Sequence, residues 1–293
     1  MIPGISKVIA QAFYAHSVQM LLNAATTLGK TEDIDRYSKL LPQIKDAFVK
    51  EFTTFNGALA SSTQTAYVLA LQFDLLPENM RQQAAQRLVD NIKEYKYHLT
   101  TGFVGTPYLC HVLTRFGFND IAYRLLLQQT YPSWLFQVKQ GATTIWERWD
   151  GIKADGTFQN IEMNSFNHYA YGAIGEWMYK NIAGIKADDS APGYQHFYVA
   201  PLPGGKLSNA AASFESPYGK IASKWEIGDG VFTLSVTIPA NTSATVTLPG
   251  AANQSIRLDG KSLPGSVENK QDGNNVVLKL GSGTYSFAYH YTL

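Results

Sequence analysis

Residues 185–199, IKADDSAPGYQHFYV, mark the point at which the sequence changes its pattern. Before this stretch the apolar residues recur at helical spacing, and after it they alternate in short runs. Its middle part, residues 188–193, is rich in turn-forming residues, as is typical of a junction between domains. We therefore predict a helical domain over residues 1–187 and a β-domain over residues 188–293.

The first predicted domain is a series of helices joined by short polar turns. In the segment after Thr31 the apolar residues recur every three or four positions, which gives a helix one buried face: Ile34, Tyr37, Leu41, Ile44, Phe48 and Phe52. Pro42 lies within this pattern and is expected to kink or split the helix. Similar patterns occupy residues 6–28, 63–73, 77–95, 107–116, 119–129 and 165–181. Successive hairpins of this kind form a bundle, an α-solenoid or an α/α toroid, and the lack of a fixed internal period argues against a simple repeat array.

The second predicted domain consists of short runs in which apolar and polar residues alternate. The clearest runs are residues 197–199, 221–227, 231–238, 244–248, 276–280 and 285–289. Gly228-Asp229-Gly230 separates two of them and predicts a tight hairpin. Alternating runs bounded by turn residues predict an antiparallel β-sandwich.

Composition excludes several classes of partner. The chain has 293 residues with 24 basic and 23 acidic side chains, so no excess charge favours nucleic acid or an anionic membrane. No apolar run is long enough to span a bilayer, and Met1-Ile2-Pro3-Gly4 lacks the pattern of a signal peptide. A single cysteine, Cys110, cannot form an intrachain disulfide and does not indicate a compartment. Nothing in the composition indicates an oligomeric state.

Residues 130–164 do not fit the helical scheme and hold three of the five tryptophans. A long irregular segment in a compact domain is usually functional or disordered, and this one is too aromatic to be disordered. Within it Glu147 stands between Trp146 and Trp149, where it would bind a sugar hydroxyl or activate water if it faced a lined cavity. Alternatively, Glu147, Arg148 and Asp150 form salt bridges within the loop while the tryptophans pack in the core. No Walker loop, zinc-spaced Cys/His cluster, HExxH or GxSxG motif is present, so neither a cofactor nor a metal is expected.

Two motifs connect the chain to a known family. GATTIWERWDG (residues 141–151) and SFNHYAYGAIGEW (residues 165–177) resemble the C-terminal half of glycoside hydrolase family 78, the α-L-rhamnosidases. The resemblance covers essentially the whole chain in order, including residues 98–109, 122–134, 213–219 and 238–246. It implies the latter part of an (α/α)6 catalytic barrel followed by an antiparallel β-sandwich. It also implies inverting hydrolysis of terminal α-L-rhamnosides in glycosides or polysaccharides, by bacterial enzymes that are often periplasmic or secreted.

The resemblance also implies roles for individual residues. Inverting glycosidases use one carboxylic acid and one carboxylate roughly 6.5–9.5 Å apart, and the family's general base corresponds to Glu147. The family's sugar-contacting histidine corresponds to His168, for which the alternative is a capping role at the start of a helix. Trp146 and Trp149 are candidates for an apolar wall against the methyl group of the sugar. For either tryptophan alone, core packing is the favoured interpretation.

The sequence departs from the family at the general acid. The family's acid motif has the character DxPxRDERxGW, and no such string occurs in this chain. The helical patterns also number about seven, too few to close a six-hairpin barrel. We therefore expect a fragment with little hydrolytic activity, because loss of one partner of an acid–base pair costs about 10²–10⁴-fold in rate. Alternative interpretations are a non-catalytic carbohydrate-binding fragment and another inverting (α/α)6 glycosidase or a lyase.

Overall fold

The computed structural model describes residues 4–292 and divides into two compact units, Met1–Ile174 and Gly175–Leu293. Met1, Ile2 and Pro3, considered above for a signal peptide, lie outside the described residues. The first unit is helical and the second is formed mainly by β-strands. The domain boundary after residue 187 stays a prediction.

Before residue 140 the described part of the first unit contains seven α-helices. They are α1 (Ile5–Thr27), α2 (Thr31–Phe52), α3 (Gln64–Gln72), α4 (Glu78–Glu94), α5 (Thr106–Arg115), α6 (Asn119–Leu126) and α7 (Trp134–Lys139). Helices α1 and α2, α3 and α4, and α5 and α6 pack as successive pairs, and α3 also contacts α1 and α5. This is the succession of helical hairpins that the sequence predicts.

Helix α2 contains a proline in its interior and is nevertheless continuous. Pro42 lies within it, and the helix is continuous from Thr31 to Phe52, so of the two predicted effects, a kink or a split, the split does not occur. Proline removes one backbone hydrogen bond from a helix interior. On both sides of that position α2 buries apolar side chains, among them Leu41, Ile44 and Phe48, and this burial holds the two halves in one helix.

The predicted helix over residues 165–181 is wrong in its first part. Residues 165–169 are irregular, and a 3₁₀ turn at Ala170–Ala173 leads into α8 (Ile174–Trp177) and a π-helical turn at Met178–Ile182. The reason lies in the backbone hydrogen bonds. The carbonyl of Ser165 accepts from the amide of Glu147, and the amide of His168 donates to the carbonyl of Ile145, so these groups are not available to a helix.

The second unit contains two β-sheets. The first has the order β1 (Ile185–Ala187), β2 (His196–Val199), β6 (Ser243–Leu248), β10 (Asn275–Leu280) and β9 (Asn269–Asp272). The second has the order β3 (Asn209–Ser216), β4 (Gly219–Gly228), β5 (Val231–Ile238), β11 (Gly283–His290), β7 (Arg257–Leu258) and β8 (Lys261–Ser262). Strands β2 and β6 are parallel, whereas the other pairings are antiparallel.

The core of this unit forms where alternate residues of the strands are buried. On β5 every second side chain from Phe232 to Ile238 is buried, as the alternating sequence predicts. Trp225 on β4 is fully buried, its ring is stacked near Phe232, and its indole nitrogen donates to the carbonyl of Ile182 at 2.7 Å. The predicted hairpin at Gly228-Asp229-Gly230 joins β4 to β5, with positive φ at Asp229 and Gly230.

Among residues 4–292, none of the helices combines the length and the apolar character that crossing a bilayer requires.

Candidate active site

The irregular segment after α7 is organised by two strips of chain that lie side by side. Residues 145–147 and 165–168 exchange backbone hydrogen bonds, from Glu147 N to Ser165 O and from His168 N to Ile145 O, both at 2.8 Å. The hydroxyl of Thr144 donates to the carbonyl of Phe166 and extends the pairing. The two motifs that carry the family resemblance are therefore adjacent in space.

The carboxylate of Glu147 is fixed by the same pairing. Its Oε2 accepts a hydrogen bond from the backbone amide of Ser165 at 2.8 Å. Within residues 4–292 its Oε1 has no hydrogen-bond or ion-pair partner, and the side chain is half-buried. One oxygen of the carboxylate is thus held by the protein, whereas the other is available to a ligand or to water.

Glu147 lines a cavity of about 270 Å³. Two further charged residues line it, Arg148 and Asp150, together with the aromatic residues Phe103, Tyr131, Trp149 and Tyr171. A concave site with aromatic walls and a few polar groups is the usual form of a small-ligand site. Larger depressions of about 730 and 390 Å³ occur in the same unit, but they lie against the surfaces of α1, α2 and α4, away from this segment.

The charged groups of the cavity are linked to one another. Arg148 Nε lies 3.6 Å from Asp150 Oδ1, and the amide of Gln159 donates to Asp150 Oδ2 at 2.5 Å. The side chain of Gln137, on α7, donates to the carbonyl of Arg148 at 2.8 Å and fixes the backbone there. The predicted loop salt bridge is therefore present between Arg148 and Asp150, and it does not include Glu147.

Stacked aromatic rings form one wall of the cavity. Trp149 and Tyr171 stack with ring centroids 3.9 Å apart, and Trp134 meets Trp149 edge-on at 5.4 Å. The indole of Trp134 donates to the carbonyl of Tyr171 at 2.9 Å. Burial, assisted by the nearby Tyr131 hydroxyl, raises the pKa of Tyr171 to about 12, against an opposing effect of Arg148. Tyr171 is therefore a neutral hydroxyl at physiological pH.

The two tryptophans beside Glu147 have different surroundings. Trp149 lines the cavity, whereas Trp146 is 3% exposed and is not among the lining residues found within the described chain. Trp146 packs edge-on against Phe166, with ring centroids 5.1 Å apart, and lies close to Gly151. For Trp146 the core-packing alternative fits this environment.

His168 lies beside the cavity without lining it. Its ring stacks on Phe103 with centroids 4.7 Å apart, and Phe103 does line the cavity. Its Nδ1 accepts a hydrogen bond from the amide of Ala170 at 3.3 Å, at the start of the 3₁₀ turn Ala170–Ala173. His168 precedes Tyr169, the N-cap residue of that turn, and its bond to Ala170 leaves Nε2 for another partner.

Besides Arg148 and Asp150, which the sequence suggested only as salt-bridge partners, four cavity residues were not identified from the sequence: Phe103, Tyr131, Met163 and Tyr171. Phe103, Tyr131 and Tyr171 come from three separate segments, which only the folded chain brings together. The signal that could have found Phe103, Tyr131 and Tyr171 is the resemblance to the family, since all three lie within the segments that carry it. Among residues 4–292 no group of three or more His, Cys, Asp or Glu side chains is arranged to hold a metal.

Comparison with known proteins agrees with the two-part architecture. The family model for the bacterial alpha-L-rhamnosidase 6 hairpin glycosidase domain matches residues 5–182, and that for the bacterial alpha-L-rhamnosidase C-terminal domain matches residues 184–262. The chain belongs to the bacterial α-L-rhamnosidase family. The resemblance inferred from the two motifs is thereby confirmed, as is the fold class of helical hairpins followed by antiparallel sheets.

Relatives within the α-L-rhamnosidase family are much longer than this chain. It is 44% identical to an α-L-rhamnosidase of Streptomyces avermitilis over 96% of its own length and 26% of the relative. It is 42% identical to one from Formosa agariphila over 97% of its own length and 31% of the relative. The chain therefore spans about a quarter to a third of the length of these rhamnosidases.

Solved α-L-rhamnosidase structures have the same fold over most of this chain. The Streptomyces avermitilis enzyme, crystallised in complex with L-rhamnose, matches with a TM-score of 0.88 at 42% identity and covers 96% of this chain. The Aspergillus terreus enzyme matches with a TM-score of 0.81 at 38% identity and covers 94%. This chain covers 26% and 30% of those two structures, respectively.

Proposed function

We propose that this chain supplies the general base and part of the sugar-binding wall of an inverting α-L-rhamnosidase, with Glu147 as the base. The observation that carries the proposal is the carboxylate of Glu147, half-buried at the wall of an aromatic cavity with one oxygen held and one unpaired. A base of this kind takes a proton from water that attacks the anomeric carbon from the face opposite the leaving group.

In the proposed step Oε1 of Glu147 accepts a proton from the attacking water. The water oxygen forms a bond to the anomeric carbon while the bond to the leaving oxygen breaks, and a separate acid protonates that oxygen. The Ser165 amide keeps Oε2 engaged, so Oε1 is the oxygen that faces water. Because the chain has no match to the family's acid motif, the proposal assigns it the base alone.

The cavity has properties that suit a neutral deoxysugar. Its charged lining consists of two carboxylates and one guanidinium, which disfavours anionic sugars. The faces of Trp149 and Tyr171 offer apolar surface to a methyl group, and the Tyr171 hydroxyl and Arg148 offer donors to sugar oxygens. The proposed substrates are therefore terminal rhamnosides of small glycosides or polysaccharides.

His168 is proposed to contact a hydroxyl of the sugar. The support is its position beside the cavity through the stack on Phe103 and its Nε2, which has no hydrogen-bond partner among residues 4–292. Trp149 is proposed as the apolar wall. Trp146, packed against Phe166, is proposed to support the strip that carries Glu147.

Binding of L-rhamnose to the purified chain tests this proposal. In an NMR titration, the resonances of Glu147, Trp149 and Tyr171 should shift with L-rhamnose and shift much less with D-glucuronate, which the carboxylates of the cavity repel. Shifts confined to other residues would contradict the proposed site. With p-nitrophenyl α-L-rhamnoside the chain should release little p-nitrophenol, and full activity abolished by Glu147→Gln would show that it also contains an acid.

A further inference from the structure

We infer that Phe103 is a positioning residue which holds the His168 imidazole as a hydrogen-bond donor, with its proton on Nε2, for an oxygen atom of a neutral sugar. The inference rests on the proposed function for the identity of the sugar. The state of the imidazole rests on contacts within the chain alone.

The first contact fixes the tautomer. The backbone amide of Ala170 donates to His168 Nδ1 at 3.3 Å, and an amide cannot accept a proton in return. Nδ1 must therefore carry a lone pair in this arrangement, which places the proton of the neutral ring on Nε2. Since Nε2 has no partner within residues 4–292, its N–H is available to a ligand acceptor.

The second contact fixes the plane of the ring. Phe103 and His168 stack with centroids 4.7 Å apart and an interplanar angle of 19°. This is the offset-stacked range in which aromatic pairs are stabilising beyond their buried area. A tilt of the imidazole plane would break the stack, and a 180° flip would remove Nδ1 from the Ala170 amide, so the two contacts together hold one ring orientation.

Phe103 can perform this role because its own loop is anchored. Gln64, fully buried at the start of α3, accepts from the amide of Thr100 at 2.8 Å and donates to the carbonyl of His98 at 3.1 Å. At the end of the loop Gly105 lies so close to α3 that an added Cβ would be 2.9 Å from the Thr65 hydroxyl. Phe103 is therefore held against both His168 and Tyr171, at 4.7 and 5.2 Å between centroids.

The test compares Phe103→Ala with the conservative Phe103→Tyr in the full chain. Phe103 is 42% exposed, so its truncation is not expected to unfold the helical unit. Phe55, which is fully exposed on the α2–α3 connection, offers a matched control in Phe55→Ala. The chain contains six histidines, and His168→Gln identifies the resonances of His168 by their loss.

The measurement is ¹⁵N NMR of the histidine rings in mildly alkaline solution without ligand, followed by L-rhamnose titration. Wild type, Phe103→Tyr and Phe55→Ala should show His168 protonated at Nε2 alone. Phe103→Ala should move both nitrogen shifts towards those of a free, averaging imidazole and weaken L-rhamnose binding about three- to tenfold.

A wild-type His168 protonated at Nδ1 would overturn the inference, as would a Phe103→Ala chain with an unchanged spectrum. Failure of every chain to bind L-rhamnose would count against the proposed function, while the ring spectra would still decide the inference. A loss of affinity in Phe103→Ala with an unchanged ring spectrum would show that Phe103 contacts the sugar itself and does not position His168.

Discussion

Ser165 holds Glu147 at two points, since its carbonyl accepts from the Glu147 amide and its amide donates to Glu147 Oε2, both at 2.8 Å. Neither bond uses the Ser165 side chain, which instead accepts from the amide of Asn167. The position of the candidate base therefore depends on the backbone of a second segment. Substitutions that displace the segment around Ser165 should therefore weaken ligand binding even though they leave the Glu147 side chain itself unchanged.

Gly151→Ala is one such change. A Cβ at this position would lie 2.9 Å from Asn164 Oδ1 and 3.2 Å from the ring of Trp146, so the side chain of Asn164, which precedes Ser165 and donates to the carbonyl of Gly151 at 2.9 Å, would have to shift. We expect destabilisation of about 1–3 kcal/mol, as is typical of overpacking, and weaker L-rhamnose binding. Urea unfolding and NMR titration measure the two effects. Gly175→Ala, within α8, where an added Cβ meets nothing within 4 Å, should leave L-rhamnose binding unchanged and raise stability by about 0.4–1 kcal/mol, and an unaffected Gly151→Ala chain would contradict the described packing.

Ionisation of Tyr171 should lower the stability of the folded chain in alkaline solution. Burial, ahead of the effect of nearby Tyr131, raises its pKa from 10.0 to about 12 in the folded chain. The contribution of the neutral Tyr171 hydroxyl to the free energy of unfolding is therefore complete below about pH 10. It is lost as the pH rises to about 12. Urea unfolding across this range should show a smaller decline for Tyr171→Phe than for wild type. Equal declines would mean that Tyr171 titrates normally.

Protonation of Asp188 should lower the stability of the β-unit in acid. The hydroxyl and then the amide of Ser190, followed by His196, lower its pKa from 3.8 to about 2. The stability this carboxylate provides to the β-unit is present above about pH 4 and is lost as the pH falls through about 2. Ser190→Ala should bring the pKa of Asp188 closer to 3.8, measured by NMR of the carboxyl carbon. An unchanged titration would show that His196 is the main cause.

The sequence predicts the strands that have one buried and one exposed face. Residues 231–238 coincide with β5 because their alternation matches the pleat of a half-buried strand. Strand β3, Asn209–Ser216, was not predicted because its residues are small or polar and largely exposed, which leaves no alternation to detect. Strands β7 and β8 have two residues each, which is too short for an alternation of apolar and polar residues to be recognised.

The candidate site was predictable only where a motif is contiguous. Glu147 and His168 lie in strings that resemble a family, whereas Phe103 reaches the cavity through contacts between distant segments. The predicted helix over residues 165–181 fails for a related reason. Its apolar spacing is local, but the hydrogen bonds of Ser165 and His168 go to residues about 20 positions earlier.

The role of Glu147 is tested most directly with α-L-rhamnosyl fluoride, because fluoride leaves with little help from an acid and the reaction then depends on the base. The wild-type chain should release fluoride and form β-L-rhamnose first, and Glu147→Gln should slow the release by about 10²–10⁴-fold. Glu162→Gln, an exposed carboxylate on the same segment, provides the control and should match wild type. Fluoride release that is absent in wild type, or equal in Glu147→Gln and wild type, would contradict the assignment of the base.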